Sequence, residues 1–454
     1  MELMPITDAV FLLAERRAQP MHVGALLLLR PPAGAGPDWV PELYARMLGE
    51  TDVAPLFRRR PEWSPRTLGT LAWVQDGDVD LEHHVRHSAL PRPGRIRELL
   101  ALTSRLHGTL LDRHRPLWEL HLIEGLDDGR FAIYAKVHHS LLDGVAALRL
   151  FGTMLATDPE ADVPAFWATR AAEPSPRSEA GVDLARMVDQ AVAGVRDLAE
   201  VAPRLGQRAL QVLRSQLGGQ GAPPRTMLNV PITGARRYAA QSWPLARVRD
   251  VAKRAEATVN DVVLAMCGSA LRGYLQSMDA LPEASLIALS PVSLRDADDR
   301  REAGNAVGAI LAPLGTDQAD PVARLAVVKE AMTRGKGDLR GLDPVQATAM
   351  SGLTMAPLAL NALGAVNRFA LPPFNLVVSN VVGPRQTLYY NGAELDGMYP
   401  LSVLLDGQAL NVTVTSYRGS LDFGLTGDRR ALPHLQRLLG LLDQGLEELD
   451  RAVG

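Results

Sequence analysis

"VHHSLLDG", residues 137–144, is the stretch whose reading decides the rest of the chain. The run before it, "RFAIYAKVHH" (130–139), is rich in strand-forming residues. The run after it, "GVAALRLFGTML" (144–155), repeats apolar residues at helical spacing through Val145, Leu148 and Leu155. The two histidines therefore sit at a strand-to-helix junction. Neighbours on a strand point to opposite faces, so one imidazole can enter a cavity while the other packs behind it. The same alternation stops His138 and His139 from sharing a metal ion. No HExxH occurs, and Asp143 alone leaves a poor ligand set, so no metal is expected.

Catalysis explains the pattern better. An imidazole ionises near ~6.5 and is placed to take a proton from an alcohol near neutrality. Asp143 can fix the loop or the ring's tautomer, and Gly144 lets backbone or substrate come close. No G-x-S-x-G elbow occurs anywhere. The single cysteine, Cys267, falls in an apolar helical run and reads as inert packing. These absences favour direct attack on an already activated acyl donor, without an acyl-enzyme.

Outward from the motif, strands and helices alternate. "GALLLL" (24–29) reads as a buried strand, and residues 95–111 place Leu99, Leu102, Leu106 and Leu110 on one helical face. A Pro/Ser/Glu-rich linker (171–181) follows, then two amphipathic helical stretches (182–217), then a second linker, "GGQGAPPRT" (218–226). The amphipathic stretches bridge the two halves or lie on a membrane surface, since arginines flank the apolar stripe. In the second half Thr258 and Asp261 have N-cap spacing. Residues 285–295 and 305–314 read as strands, and residues 410–428 as a hairpin turning at Arg418-Gly419. The domains expected are residues 1–175 and 226–454, joined by a linker over 176–225.

A chain of 454 residues exceeds what one core usually serves, which supports two domains. Its net charge of −3 gives no reason to expect a nucleic-acid partner. One cysteine permits no internal disulfide, and the N-terminal residues show no signal-peptide pattern, so the expected location is cytoplasmic. The uncharged stretch 345–367 contains Gln346, Pro357 and Asn361, and reads as a buried or lipid-contacting helix pair rather than a span.

"HHSLLDG" resembles the HHxxxDG motif of the CoA-dependent acyltransferase superfamily. Other pieces narrow the resemblance to the bacterial wax ester synthase/diacylglycerol acyltransferase family. They are "PITDAVFLLAERRAQPMHVGALLLL" near the start, Pro-Leu-Trp at 116–118, Asn260-Asp261, "PVSLR" at 291–295, "GNAVG" at 304–308 and "SNVVGP" at 379–384. They follow in order along nearly the whole chain.

The resemblance implies an α/β fold of two chloramphenicol-acetyltransferase-like domains with a tunnel at their interface. It implies esterification of diacylglycerol or a long-chain alcohol by acyl-CoA, which serves as co-substrate with no further cofactor. It also implies peripheral contact with a membrane or lipid-droplet surface. His139 is then the general base, and His138 supports the loop. Asp143 pairs structurally with an arginine, with Arg295 as the expected partner. Asn260 is either an ordinary first-turn residue or an amide that polarises the thioester. Leu117 and Trp118 are core or pocket wall. Asn380 belongs to a turn that shapes the pocket second.

Two rivals stand. A condensation-type or polyketide-associated acyltransferase shares HHxxxDG but takes its donor from a carrier protein. A non-catalytic lipid-binding protein would explain residues 182–217 and 345–367, though not the histidine pair.

Overall fold

The computed structural model describes residues 2–63, 71–142, 144–168, 222–293, 307–340 and 374–454. Asp143, Arg295, the helical stretches at 182–217 and the apolar stretch at 345–367 lie outside these residues.

The strands of the first half are β1 (Glu2–Leu3), β2 (His22–Arg30), β3 (Arg59–Trp63), β4 (Leu71–Gln75), β5 (Val85–Ala89), β6 (Trp118–Glu124) and β7 (Phe131–His138). The second half adds β8 (Arg236–Pro244), β9 (Ile287–Ser293), β10 (Val307–Pro313), β11 (Leu376–Val381), β12 (Tyr389–Tyr390), β13 (Ala393–Leu401), β14 (Leu410–Tyr417) and β15 (Ser420–Asp428). They form two six-stranded sheets, ordered β12-β13-β2-β7-β6-β5 and β10-β9-β11-β14-β15-β8, and a small sheet β1-β4-β3. The class is mixed α/β with two sheet-rich halves, as the sequence leads one to expect.

β2, "HVGALLLLR", lacks the polar alternation of an edge strand because it is central. Only its last residue is exposed. It pairs antiparallel with β7, setting His22 opposite His138, and on its other side with β13. β12 and β13 come from late in the chain yet complete the sheet of the first half.

The second sheet is backed by the helices Val259–Gln276, Pro321–Arg340 and Arg437–Ala452, whose Val263, Met266, Leu325 and Leu442 share one core with Val414. Thr258 caps the first of these. Its hydroxyl accepts the Asp261 N–H at 3.2 Å, and the Asp261 carboxylate accepts the Thr258 N–H at 2.8 Å. Such a box contributes about 1 kcal/mol. The β14–β15 hairpin turns at Arg418 and Gly419, which both have positive φ (42° and 83°), as a two-residue turn matching the strand twist requires. The helix expected over 95–111 runs from Ile96 to His107, and Gly108 caps it.

Several contacts join the halves. Helix Ile6–Ala14 lays Phe11 and Ala14 against Ile287, Leu289 and Leu311 of the second sheet. Ser104 of helix Ile96–His107 accepts the Tyr238 N–H of β8 at 2.8 Å. Asp422 of β15 accepts the Met398 N–H of β13 at 2.9 Å. β13 crosses so close to β15 that a Cβ on Gly424 would meet the Pro400 carbonyl at 2.0 Å.

Candidate active site

His139 stands just past the end of β7. Its N–H donates to the Met21 carbonyl at 2.8 Å, and its ring stacks on Phe11 with centroids 4.4 Å apart and planes 12° from parallel. Both contacts come from the N-terminal segment that bridges the sheets. The residue is 7% exposed, and it borders a cavity of about 130 Å³. One wall of the cavity is Val23 and Gly24 of β2 with Gly144 and Leu148 of the next helix. The facing wall belongs to the second sheet, through Leu289, Val377, Ser379, Asn411 and Thr413. The cavity therefore lies between the halves, and His139 is the one histidine among the described residues on its wall.

His138 points the other way, fully buried. Its Nδ1 accepts the Ser140 N–H at 3.1 Å, so the ring proton sits on Nε2, which lies 3.3 Å from Glu15 Oε1. The same Oε1 accepts the Met21 N–H at 3.1 Å, and Oε2 accepts Arg113 Nη2 at 3.0 Å. Burial alone would push the Glu15 carboxyl up. The hydrogen bond with His138, the Met21 N–H and the Arg113 guanidinium outweigh it, and the net value falls to about 2. Glu15 is thus an anion that grips both His138 and the residue holding the His139 backbone.

A second buried network anchors β7 two residues earlier. Lys136 Nζ lies 3.1 Å from Glu119 and donates to the Leu106 and Thr109 carbonyls at 3.2 and 2.9 Å. His22 of the neighbouring β2 has its Nε2 2.9 Å from the His107 carbonyl. Burial holds the His22 imidazole well below its ordinary value and pushes His107 down to about 3, so both stay neutral.

The remaining expected residues separate. Gly144 lines the cavity, where a Cβ would meet only Val23 at 3.9 Å, an ordinary contact. Asn380 and Asn260 come together, with Asn380 Nδ2 donating to Asn260 Oδ1 at 3.4 Å. They are not on the cavity wall. Residues 377, 379 and 381 of β11 face the cavity, so alternation turns Asn380 toward the helix Val259–Gln276. Leu117 and Trp118 are core rather than pocket wall. Trp118 stacks on His84 and Trp167 at 4.4 and 5.2 Å, and its Nε1 donates to the Phe57 carbonyl at 2.9 Å. Asp143 and Arg295 lie outside the described residues.

Sequence reasoning missed Glu15, whose setting "LLAERR" reads as an ordinary helix end. It also missed the polar wall residues Gln408, Asn411 and Thr413. Strand alternation offers a signal for the last two, since both sit on one face of β14.

Cys267 is buried in the helix Val259–Gln276, and burial pushes its thiol up to about 12. The native protein is accordingly expected to resist iodoacetamide and to be alkylated only after denaturation. Labelling at equal rates in both states would contradict that placement. Among the described residues no group of three His, Cys, Asp or Glu is placed to hold a metal, and no helix is long and apolar enough to cross a membrane.

The family profile described as the wax ester synthase/diacylglycerol acyltransferase catalytic domain matches residues 3–263, and the WS/DGAT C-terminal domain matches residues 303–450. The chain is 48% identical over 458 residues, covering all of both chains, to the probable diacylglycerol O-acyltransferase tgs2 of Mycobacterium tuberculosis. The solved wax ester synthase/diacylglycerol acyltransferase of Marinobacter aquaeolei VT8 is 42% identical, with a TM-score of 0.82 and full coverage of both chains. The first condensation domain of the CDA synthetase is 16% identical with a TM-score of 0.55, covering 99% of this chain and 95% of that one. That likeness concerns the fold alone.

Proposed function

Because the chain belongs to the wax ester synthase/diacylglycerol acyltransferase family, we propose that it moves a long-chain acyl group from acyl-CoA to the free hydroxyl of diacylglycerol. The observation that carries the mechanism is a single imidazole, His139, on the wall of a cavity between the two sheets. Its ring takes the hydroxyl proton as the oxygen attacks the thioester carbonyl. The tetrahedral intermediate collapses with cleavage of the C–S bond, and the CoA sulfur leaves with the proton that the imidazole carried. No cysteine lines the cavity among the described residues, and the sequence holds no G-x-S-x-G elbow, which favours transfer in one displacement. Phe11 and Met21 hold the ring and its backbone in place, so the base is set before substrate arrives.

Long-chain alcohols are proposed as a second acceptor class, giving wax esters by the same steps. Acyl-CoA is a co-substrate, and the chemistry as written needs no further cofactor. Contact with a membrane or lipid-droplet surface from the cytoplasmic side completes the proposal. Its support is the exposed Trp63, which lines a surface pocket with Arg60 and Arg113, and the exposed Leu13 next in sequence to the pocket residue Leu12.

The test is purified protein with palmitoyl-CoA, dioleoylglycerol and hexadecanol together, with the ester products resolved. Triacylglycerol is the expected main product. Folded protein that forms no ester from either acceptor would defeat the reading. Turnover confined to carrier-protein-bound acyl groups would replace it with the condensation-type alternative.

A further inference from the structure

The wall facing His139 carries polar groups that the mechanism above does not use. Gln408 stands in the loop entering β14, and this loop is held from several sides. The Gln408 N–H donates to Leu405 O at 2.8 Å, the Asp406 N–H to Gln19 Oε1 at 2.8 Å and the Ala409 N–H to Leu228 O at 2.8 Å. The Gly407 carbonyl accepts Asn229 Nδ2 at 3.1 Å. Gly407 itself has φ +86°, which the tight turn requires. The Gln408 side chain is thus delivered by a fixed backbone.

That side chain borders the same cavity as His139, is 3% exposed, and has no partner for its Nε2 among the described residues. An amide left in this state is costly to bury, and apolar replacement would avoid that cost. Beside it runs an ordered chain. Thr413 Oγ1 donates to Asn411 Oδ1 at 2.9 Å, so Ser402 Oγ, 2.8 Å from Thr413 Oγ1, is the donor to it. The chain occupies the Asn411 oxygen and leaves its Nδ2 hydrogens for another acceptor. Gln408 and Asn411 therefore offer N–H groups at a cavity wall opposite the base.

Resting on the acyltransferase reading, we infer that Gln408, with Asn411 beside it, binds an ester carbonyl of the glyceride acceptor and so selects diacylglycerol. A diacylglycerol carries ester carbonyls beside its free hydroxyl. A fatty alcohol or a glycerol diether offers the hydroxyl alone and leaves the buried amide unpaired. A site built to hydrogen-bond a group penalises the analogue that lacks it.

The experiment compares dioleoylglycerol with its diether analogue, which has the same chains and hydroxyl but no carbonyl. With palmitoyl-CoA as donor, the wild-type enzyme is expected to favour the diester by about 10–100-fold in kcat/KM. Gln408→Met keeps the side-chain length, removes the amide and is expected to erase most of that preference. Its Tm should stay unchanged or rise, because Nε2 has no partner among the described residues to lose. Equal use of both acceptors by the wild type overturns the inference, as does a preference kept in Q408M. A fall in Tm on Gln408→Met overturns it too, by showing that the amide holds the fold. Wild-type protein inert toward both acceptors would instead remove the acyltransferase reading beneath it.

Discussion

His139→Ala lowers turnover by about 10²–10⁴-fold while the protein stays folded. The size follows from what the ring does. Without it, the acceptor hydroxyl must lose its proton to water inside a small cavity, and the leaving sulfur has no nearby proton. The fold should survive because alanine keeps the backbone hydrogen bond to Met21 and gives up the stack on Phe11. The measurement is the rate of CoA release with palmitoyl-CoA and dioleoylglycerol, alongside a thermal melt. A folded variant that turns over like wild type would show that another group removes the proton.

Glu15→Ala is expected to cost about 3–5 kcal/mol of stability, the penalty for breaking a buried ionic cluster from one side. Its loss removes the carboxylate 3.3 Å from His138 Nε2, leaves the Met21 N–H without its acceptor and takes the carboxylate from Arg113, which keeps the Leu12 carbonyl at 2.7 Å. Arg113 is half-exposed and its share is screened by water. Acid should act in the same direction. The Glu15 carboxyl is held at about 2 in the folded chain against an ordinary value of 4.5. A folded-state value below the unfolded one stabilises the protein above pH 4.5, and that contribution is lost as pH falls toward 2. The gap corresponds to roughly 3 kcal/mol. Glu119, also held at about 2 despite burial by His121, Lys136 and Arg86, adds to the same trend. Urea melts at pH 7 and pH 3 test both statements. Wild type should lose more stability between the two than Glu15→Ala does. Equal losses, or a Glu15→Ala variant as stable as wild type at pH 7, would show that the anion does not brace the site.

What could be read from the sequence was local. The run into His139 is a strand, Gly144 opens a helix, and neighbouring histidines face apart, all as their periodicities require. Thr258 and Asp261 form the expected cap, and Arg418-Gly419 the expected turn. Long-range partners were not legible. Nothing in "LLAERR" says that its glutamate will meet His138, because that contact spans more than a hundred residues and depends on how helix Ile6–Ala14 wedges between the sheets. The Pro-Leu-Trp element marks core packing, not pocket wall, since a tryptophan's bulk serves either place equally well. Asn260 and Asn380 share a hydrogen bond that neither position announces by itself. The cavity's polar wall was missed for the same reason. Gln408, Asn411 and Thr413 are close in sequence, but they come to face His139 only when β14 and the loop before it close against the first sheet.

β13 carries a consequence for how the molecule is made. During synthesis the ribosome delivers β2 and β7 roughly tens of seconds before the strand that will flank β2. Throughout that interval one side of β2 shows bare amides and carbonyls between leucines, a surface prone to recruit the same edge of a neighbouring nascent chain. A gene cut between the halves should therefore yield an insoluble first fragment, and co-expression of the second fragment should rescue it by supplying residues 393–401.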